Sequence, residues 1–383
     1  MRVHCERHAT RPSCRVPSGT RRHVRAGAGQ GIRTADHRRM AGARGPRFSV
    51  TSILLVGAGA VAARTTRQLL DTAGIDRVSV LNRDSERAAE LVDAFSNGDT
   101  RVRLASEDDP LRDVAAVVLA APGAYAVRLA AAAVERSRPV VAVADDEETM
   151  SSLLALDPLS REHGVVVAVG CGLAPGLSDV LARHAANALE RVDELHVARA
   201  GVAGPTCVET LRRAHHSRPL EWRDGAWHRP RRSGPELVWF PDPVGATECE
   251  PIAAGAPLLL AAVPGVERLS VRAAVPPLRA TGLARLSRRA VTDVWGAVRV
   301  EAWGWKDERR STVVYGLLER PAIAAGVTLA VVAAALVGAL PAVERHQEAG
   351  AHGLGRLVSP PSLLAELANR GVRAATFEGV GVG

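Results

Sequence analysis

Short, wholly apolar runs separated by amphipathic stretches fill the first half of the chain. ILLV (53–56), AAVVLAA (115–121), VVAVA (140–144) and VVVAV (165–169) carry no charge at all. That is the pattern of strands covered on both faces of a parallel sheet. RVSVL (77–81) reads as a further strand. Between them, VAARTTRQLLDTAG (61–74), YAVRLAAAAVERS (125–137) and EETMSSLLALDPLSREHG (147–164) space their apolar residues as helices do. Beyond residue 190 the period changes. DELHVARAG (193–201), ERLSVRAAV (267–275) and GAVRVEAWGWKDERRSTVVYGLLE (296–319) alternate polar with apolar positions, as strands with one solvated face do. The Pro-, Trp- and Arg-rich stretch 213–251 reads as a long connection between them. The pattern predicts a Rossmann-type, doubly wound parallel α/β sheet over 49–172 and an α+β substrate domain over 173–320. Further helices are expected in 321–383.

One junction carries specific chemistry. After ILLV the chain reads GAGAVA, so Gly57, Gly59 and Ala62 form G-x-G-x-x-A between a strand and a helix. Gly57 permits the tight turn, Gly59 lets backbone approach a pyrophosphate, and Ala62 lets the helix pack close. The helix N-terminus attracts the phosphate charge. Gly57, Ala58, Gly59, Ala60 and Val61 are therefore assigned to a dinucleotide, with Ala121 and Pro122 after the 115–121 run beside its nicotinamide ribose. The second strand ends in Asn82 and Arg83 rather than an acidic residue. An amide followed by a guanidinium favours the 2′-phosphate of NADP over the free ribose of NAD. Arg87 could assist, and Asp84 would oppose.

Charge changes the picture less than its total suggests. The net charge is +8, but residues 1–47 hold twelve arginines against Glu6 and Asp36, a net of +10, which leaves −2 for the remainder. A nucleic-acid partner is therefore not expected. The Arg-, Gly- and Pro-rich segment 1–48 is read as a disordered leader, or as upstream sequence before a start at Met40. Five cysteines without a C-x-x-C pair, and His215 and His216 without cysteine neighbours, argue against disulfides and structural metal. A cytoplasmic setting follows. The run 321–340 is twenty residues without a charge and long enough to span a bilayer, but it is rich in Ala, Gly and Val without an aromatic belt. A buried helix is the preferred reading and a membrane-tethered reductase the alternative.

The segment GCGLAPGLSD (170–179) follows the last apolar strand. Gly170 and Gly172 are expected to bend the chain out of the sheet and Pro175 to start a helix. The N–H groups of Gly176, Leu177 and Ser178 would then meet a substrate carboxylate. With the G-x-G-x-x-A opening, ADDEETMSSLLALDPLSREHGVVVAVGCGLAPGLSDVLA and the late PPSLLAELANRGV, the chain resembles the saccharopine dehydrogenase-like oxidoreductases over roughly 50–375. The resemblance implies a nucleotide domain, an inserted substrate and dimerisation domain, a return of the helices of 321–383 to the first domain, and NAD(P)-linked hydride transfer at a C–N or C–O bond of a small, amino-acid-derived substrate. It also implies a homodimer. Two departures stand where the substrate would lie: Ala174 replaces the aspartate of G-L-D-P-G, and Ala144 with Asp145 replaces a serine–tyrosine pair.

Proton movement needs a titratable group. Asp145, at the end of a parallel strand, and His215 are the candidates, with His216 and Tyr315 behind them; capping of the next helix by Asp145 or Asp146 is the competing role. Arg212, Arg213 and Arg218 are candidate carboxylate contacts. Cys171 and Lys306 are weak nucleophile candidates. The expected function is a small-molecule NADP-dependent oxidoreductase; a non-catalytic NADP-binding protein is the alternative.

Overall fold

A computed structural model of the chain describes residues 50–95, 99–121, 123–231, 233–274 and 294–377. The leader reading of 1–48 and the assignment of Pro122 lie outside these residues.

The apolar runs form β1 (Ser52–Val56), β4 (Ala116–Leu119), β5 (Val140–Ala142) and β6 (Val166–Val169), with β2 (Arg77–Leu81) and β3 (Val102–Leu104) beside them. Helices alternate with these strands: α1 (Ala60–Leu70), α2 (Ser85–Phe95), α3 (Ala124–Glu135), α4 (Glu147–Leu154) and α5 (Asp157–Glu162). All five residues of β1 are buried, as a central parallel strand requires. The strand order is β15-β6-β5-β4-β1-β2-β3, all parallel. The first six strands therefore give the doubly wound 3-2-1-4-5-6 order, whose direction reverses between β1 and β4, where such sheets bind ligands. The seventh, β15 (Gly350–Gly353), comes from far along the chain and extends the β6 edge. The helix expected over 147–164 is two helices, broken at Ala155 and Leu156.

From β6 the chain enters α6 (Leu177–Ala186), which lies under the second sheet. That sheet runs β10 (Glu236–Trp239), β11 (Ala246–Pro251), β12 (Arg268–Ala274), β7 (Arg191–Ala200), β13 (Gly296–Lys306), β14 (Arg309–Glu319) and β16 (Ala374–Phe377), with β8 (Glu221–Arg223) and β9 (Ala226–His228) attached to β12. The stretch 213–251 is thus not a connection. It holds the end of α7 (Pro205–His216) and four strands, and α8 (Ala256–Leu260) follows. One sheet face joins the main core through Leu195, Val197, Val271, Val298, Val300 and Leu317.

The apolar run forms α9 (Pro321–Leu336), buried at fourteen of its sixteen positions. It packs against α1 so closely that a Cβ on Gly326 would stand 2.6 Å from Cβ of Arg64 and 3.0 Å from the Val61 carbonyl. Each buried Val or Leu contributes roughly 1.5–3 kcal/mol, so the absence of a polar face on α9 follows from its place between layers. Among the described residues no helix is long and apolar enough to cross a membrane. The chain then adds β15, α10 (Leu354–Leu357) and α11 (Pro360–Asn369). It does not finish with the first sheet: β16 crosses back and pairs with β14 in the second.

Candidate functional site

The carboxyl ends of the central strands stand in a row. Gly57 N–H donates to the Leu81 carbonyl at 2.8 Å, Ala120 N–H to Val56 at 2.9 Å, Val143 N–H to Leu119 at 3.0 Å and Cys171 N–H to Ala142 at 2.9 Å. The residues that follow each strand therefore share one edge. Gly57 has φ +119°, and a Cβ there would press on the Ala120 backbone at 3.3 Å. Gly59 caps α1 with no side-chain cap, and no atom lies within 4 Å of where its Cβ would be. The first amides of α1 thus open into a cradle bordered by Gly57, Ala58, Ala60, Val61 and Ala121, which fits a pyrophosphate.

At the β2 end, Asp84 is engaged with the start of the next helix. Its Oδ1 accepts the Arg87 amide at 3.2 Å, capping α2, and its Oδ2 pairs with the Arg87 guanidinium at 3.1 Å. Asn82 donates to the Asp84 carbonyl at 2.9 Å. Arg83 is exposed and no described residue pairs with its guanidinium. Of the two arginines, Arg83 is the available one.

At the β5 end the two neighbouring aspartates separate by role. Asp146 caps α4, accepting the Thr149 amide at 2.8 Å. That frees Asp145, whose Oδ2 accepts from Arg199 of β7 at 2.9 Å. Arg199 also donates to the carbonyl of Ala174 at 2.6 Å. One guanidinium therefore ties the nucleotide sheet, the junction turn and the second sheet together. Asp145, Ala174, Pro175, Ser178 and Arg199 meet around a closed gap that has no room for a water, with Ala254 and Val271 on its wall. Oδ1 of Asp145 is buried there without a hydrogen-bond partner. An orphaned buried acceptor costs about 1–3 kcal/mol, unless a ligand donor completes it.

Arg199 was not a sequence candidate. The available signal was its phase in the strand: Leu195 and Val197 face the core, and Arg199 occupies the next position of that face. His215 is different from expectation. It lies in the last turn of α7, 5% exposed, with Nδ1 3.6 Å from Glu250 of β11, because Leu211, Ala214 and His215 form the buried stripe of that helix. It does not line the gap at Asp145. His216, Arg212, Arg213 and Arg218 are exposed. Tyr315 stacks on His184 with ring centroids 5.1 Å apart. Lys306 is exposed beside the β13–β14 turn. Cys171 is fully buried, and burial drives its thiol far above the ordinary range, which leaves no thiolate for attack.

The junction turn is self-contained. Gly172 N–H donates to Pro175, Leu177 N–H to Gly172 and Ser178 N–H to Leu173, each at 3.0 Å. Gly176 N–H donates to Oδ2 of Asp179 at 3.2 Å. The amides of Gly176, Leu177 and Ser178, expected to receive a carboxylate, are thus occupied. Pro175 does not start the helix; Gly176 caps it, with φ +130°, and a Cβ there would lie 2.2 Å from the Gly172 carbonyl. Asp179 is fully buried, and burial pushes its carboxyl up to about 7 against the pull of Ser178 Oγ and the Gly176 amide. Among the described residues no group of three or more His, Cys, Asp or Glu is placed to hold a metal ion.

The family model for shikimate/quinate 5-dehydrogenase matches residues 39–144. A search of curated proteins found no match. Among solved structures, apo saccharopine dehydrogenase (L-Glu forming) from Saccharomyces cerevisiae superposes with a TM-score of 0.57 at 14% identity, over 85% of this chain and 100% of that one. GenD2 from gentamicin A biosynthesis, in complex with NAD, gives 0.43 at 15% identity over 88% and 99%. DAP dehydrogenase of C. glutamicum, in complex with DAP, gives 0.47 at 15% over 84% and 98%. The resemblance read from the sequence thus meets its expected architecture: the chain has a two-sheet fold, with a Rossmann-type parallel sheet, similar to that of the saccharopine dehydrogenase from yeast.

Proposed function

We propose that the protein is an NADP-dependent oxidoreductase that moves a hydride to or from a carbon bonded to nitrogen in a small amino-acid-like substrate. The observation that carries this reading is the Asp145–Arg199 pair, with its orphaned Asp145 Oδ1, at the carboxyl end of β5. A buried carboxylate oxygen beside a buried guanidinium complements a zwitterion: an ammonium donates to Oδ1, and a carboxylate accepts from the guanidinium donors that Asp145 and Ala174 leave unused. Gly57, Gly59 and the first turn of α1 would hold the pyrophosphate, and Arg83 the 2′-phosphate. The dinucleotide, when bound, supplies or accepts the hydride. Asp145 and Arg199 orient the substrate. The homodimer implied by the resemblance would form through the second sheet, whose strands expose Trp227, Trp239 and Trp303.

The test is NADPH formation or consumption with a panel of amino acids, or of 2-oxo acids with ammonia, followed by absorbance. Turnover is expected, and Arg199→Met should raise KM about 10–100-fold, the equivalent of one charge-assisted hydrogen bond. Tight NADPH binding without turnover of any amine or keto acid would leave a non-catalytic NADP-binding protein.

A further inference from the structure

The site at Asp145 is shut. A gap with no room for a water cannot admit an amino acid, so the start of α4 and the second sheet part before a substrate enters. Three contacts hold them together. Arg199 of β7, its side chain 13% exposed, donates to Asp145 Oδ2 at 2.9 Å. The Gly255 amide donates to the Asp145 carbonyl at 2.8 Å. The fit there is so close that a Cβ on Gly255 would lie 2.9 Å from Sδ of Met150 and 3.1 Å from the Asp146 carbonyl. The third contact is at the surface: Arg229 donates to Glu147 Oε1 at 2.5 Å, with the two side chains 47% and 31% exposed.

We propose that the Glu147–Arg229 pair is an electrostatic latch that holds the substrate site closed until a substrate arrives. This rests on the function proposed above, which makes the covered site a substrate site. Glu147 opens α4, and the Asp146 cap on the Thr149 amide fixes that turn, so Asp145 and Glu147 travel as one piece. Arg229 directly follows β9, which pairs with β8, which in turn pairs with β12. β12 also carries Val271 of the gap wall. Arg229 therefore moves with the second sheet, and its bond to Glu147 spans the line along which the site opens.

Charge and exposure suit that role. The segments that meet are of opposite sign, Asp145, Asp146, Glu147 and Glu148 on one side and Arg229 and Arg231 on the other. The two inner contacts are sheltered from solvent, so the surface pair is the one that ionic strength reaches. An exposed pair shifts an equilibrium by at most about fivefold, enough to bias the site towards closure and too little to lock it.

The test reads opening without needing turnover. Cys207, in the first turn of α7, lies half-buried beside Asp145 and Arg199, whereas Cys171 and Cys249 are fully buried. Alkylation of Cys207 by iodoacetamide, located by peptide mass, therefore follows the parting of α4 from the second sheet. Its rate is compared among the wild type, Glu147→Gln, Arg229→Ala and the double variant, with thermal unfolding and NADPH affinity as controls on the fold. At low salt each single variant should label about two- to fivefold faster than the wild type, and the double variant no faster than the singles. In about 1 M sodium chloride the wild type should approach the variants, because the pair is screened. NADPH affinity should stay within about twofold throughout. Wild-type labelling rates in both single variants, or accelerations that multiply in the double, would overturn the latch whatever the enzyme turns over. Faster labelling in the variants of a protein that turns over no amine or keto acid would leave the latch standing and overturn the oxidoreductase.

Discussion

Arg83 leaves the end of β2 with its guanidinium in solvent, while Arg87 is held by Asp84. Replacing Arg83 by Ala should therefore weaken NADPH at least about tenfold, the worth of a charge-assisted phosphate contact, and leave NADH within about twofold, by fluorescence titration. Equal losses for the two cofactors would remove the 2′-phosphate role. Residue types at a strand end were legible, because G-x-G-x-x-A and Asn82–Arg83 fix which groups can occupy a turn. The partner of Asp145 was harder to read. Arg199 stands fifty-four positions away, and only its core-facing phase in DELHVARAG marks it. His215 misled for the converse reason: among Pro, Trp and Arg it resembles a loop residue, whereas Leu211 and Ala214 place it on a helix stripe. Asp179 was read only as the end of a turn, since burial cannot be seen in a carboxylate three residues from a glycine.

At the scale of elements, the apolar strands were legible because a doubly covered strand must be apolar throughout. The segments that escaped are short. VRL of β3 and GAHG of β15 carry no period at three or four residues. β15 is held instead by the open edge of β6 and by Oδ1 of Asp157, which accepts the Ala351 amide at 2.9 Å. The uniform apolarity of α9 suggested a membrane span as readily as a core helix. The close contact at Gly326 decides between them. Gly326→Leu should drive α9 from α1 and lower stability by about 3 kcal/mol or more, beyond the usual cost of overpacking, measured by chemical denaturation. A stability loss below about 1 kcal/mol would show that the two helices separate freely.

For the whole molecule, Asp179 ties stability to pH. Its folded value of about 7 lies above the ordinary 3.8, so between about 4 and 7 the folded state binds more protons than the unfolded one. Stability is then highest below that window and falls as pH rises through it. The difference between those values corresponds to on the order of 4 kcal/mol. Asp99, Asp109, Asp157 and Glu348 act in the opposite sense, each held low first by an arginine, but their pairs are solvent-screened and weak. Relative to the wild type, Asp179→Asn should gain stability on going from pH 5 to pH 8, read from denaturation midpoints. An unchanged difference would place Asp179 at an ordinary value.

The path of the chain has a consequence for synthesis. It builds six strands of the first sheet, then the second sheet through β14, returns for β15, and crosses again for β16. While the ribosome is still short of residue 350, β6 is an unprotected edge of four fully buried-type residues, Val166–Val169, and such edges template association with other chains. β6 therefore waits for its outer neighbour until the chain has passed residue 350, and the small segment GAHG, unremarkable as sequence, covers it and becomes the edge in its place.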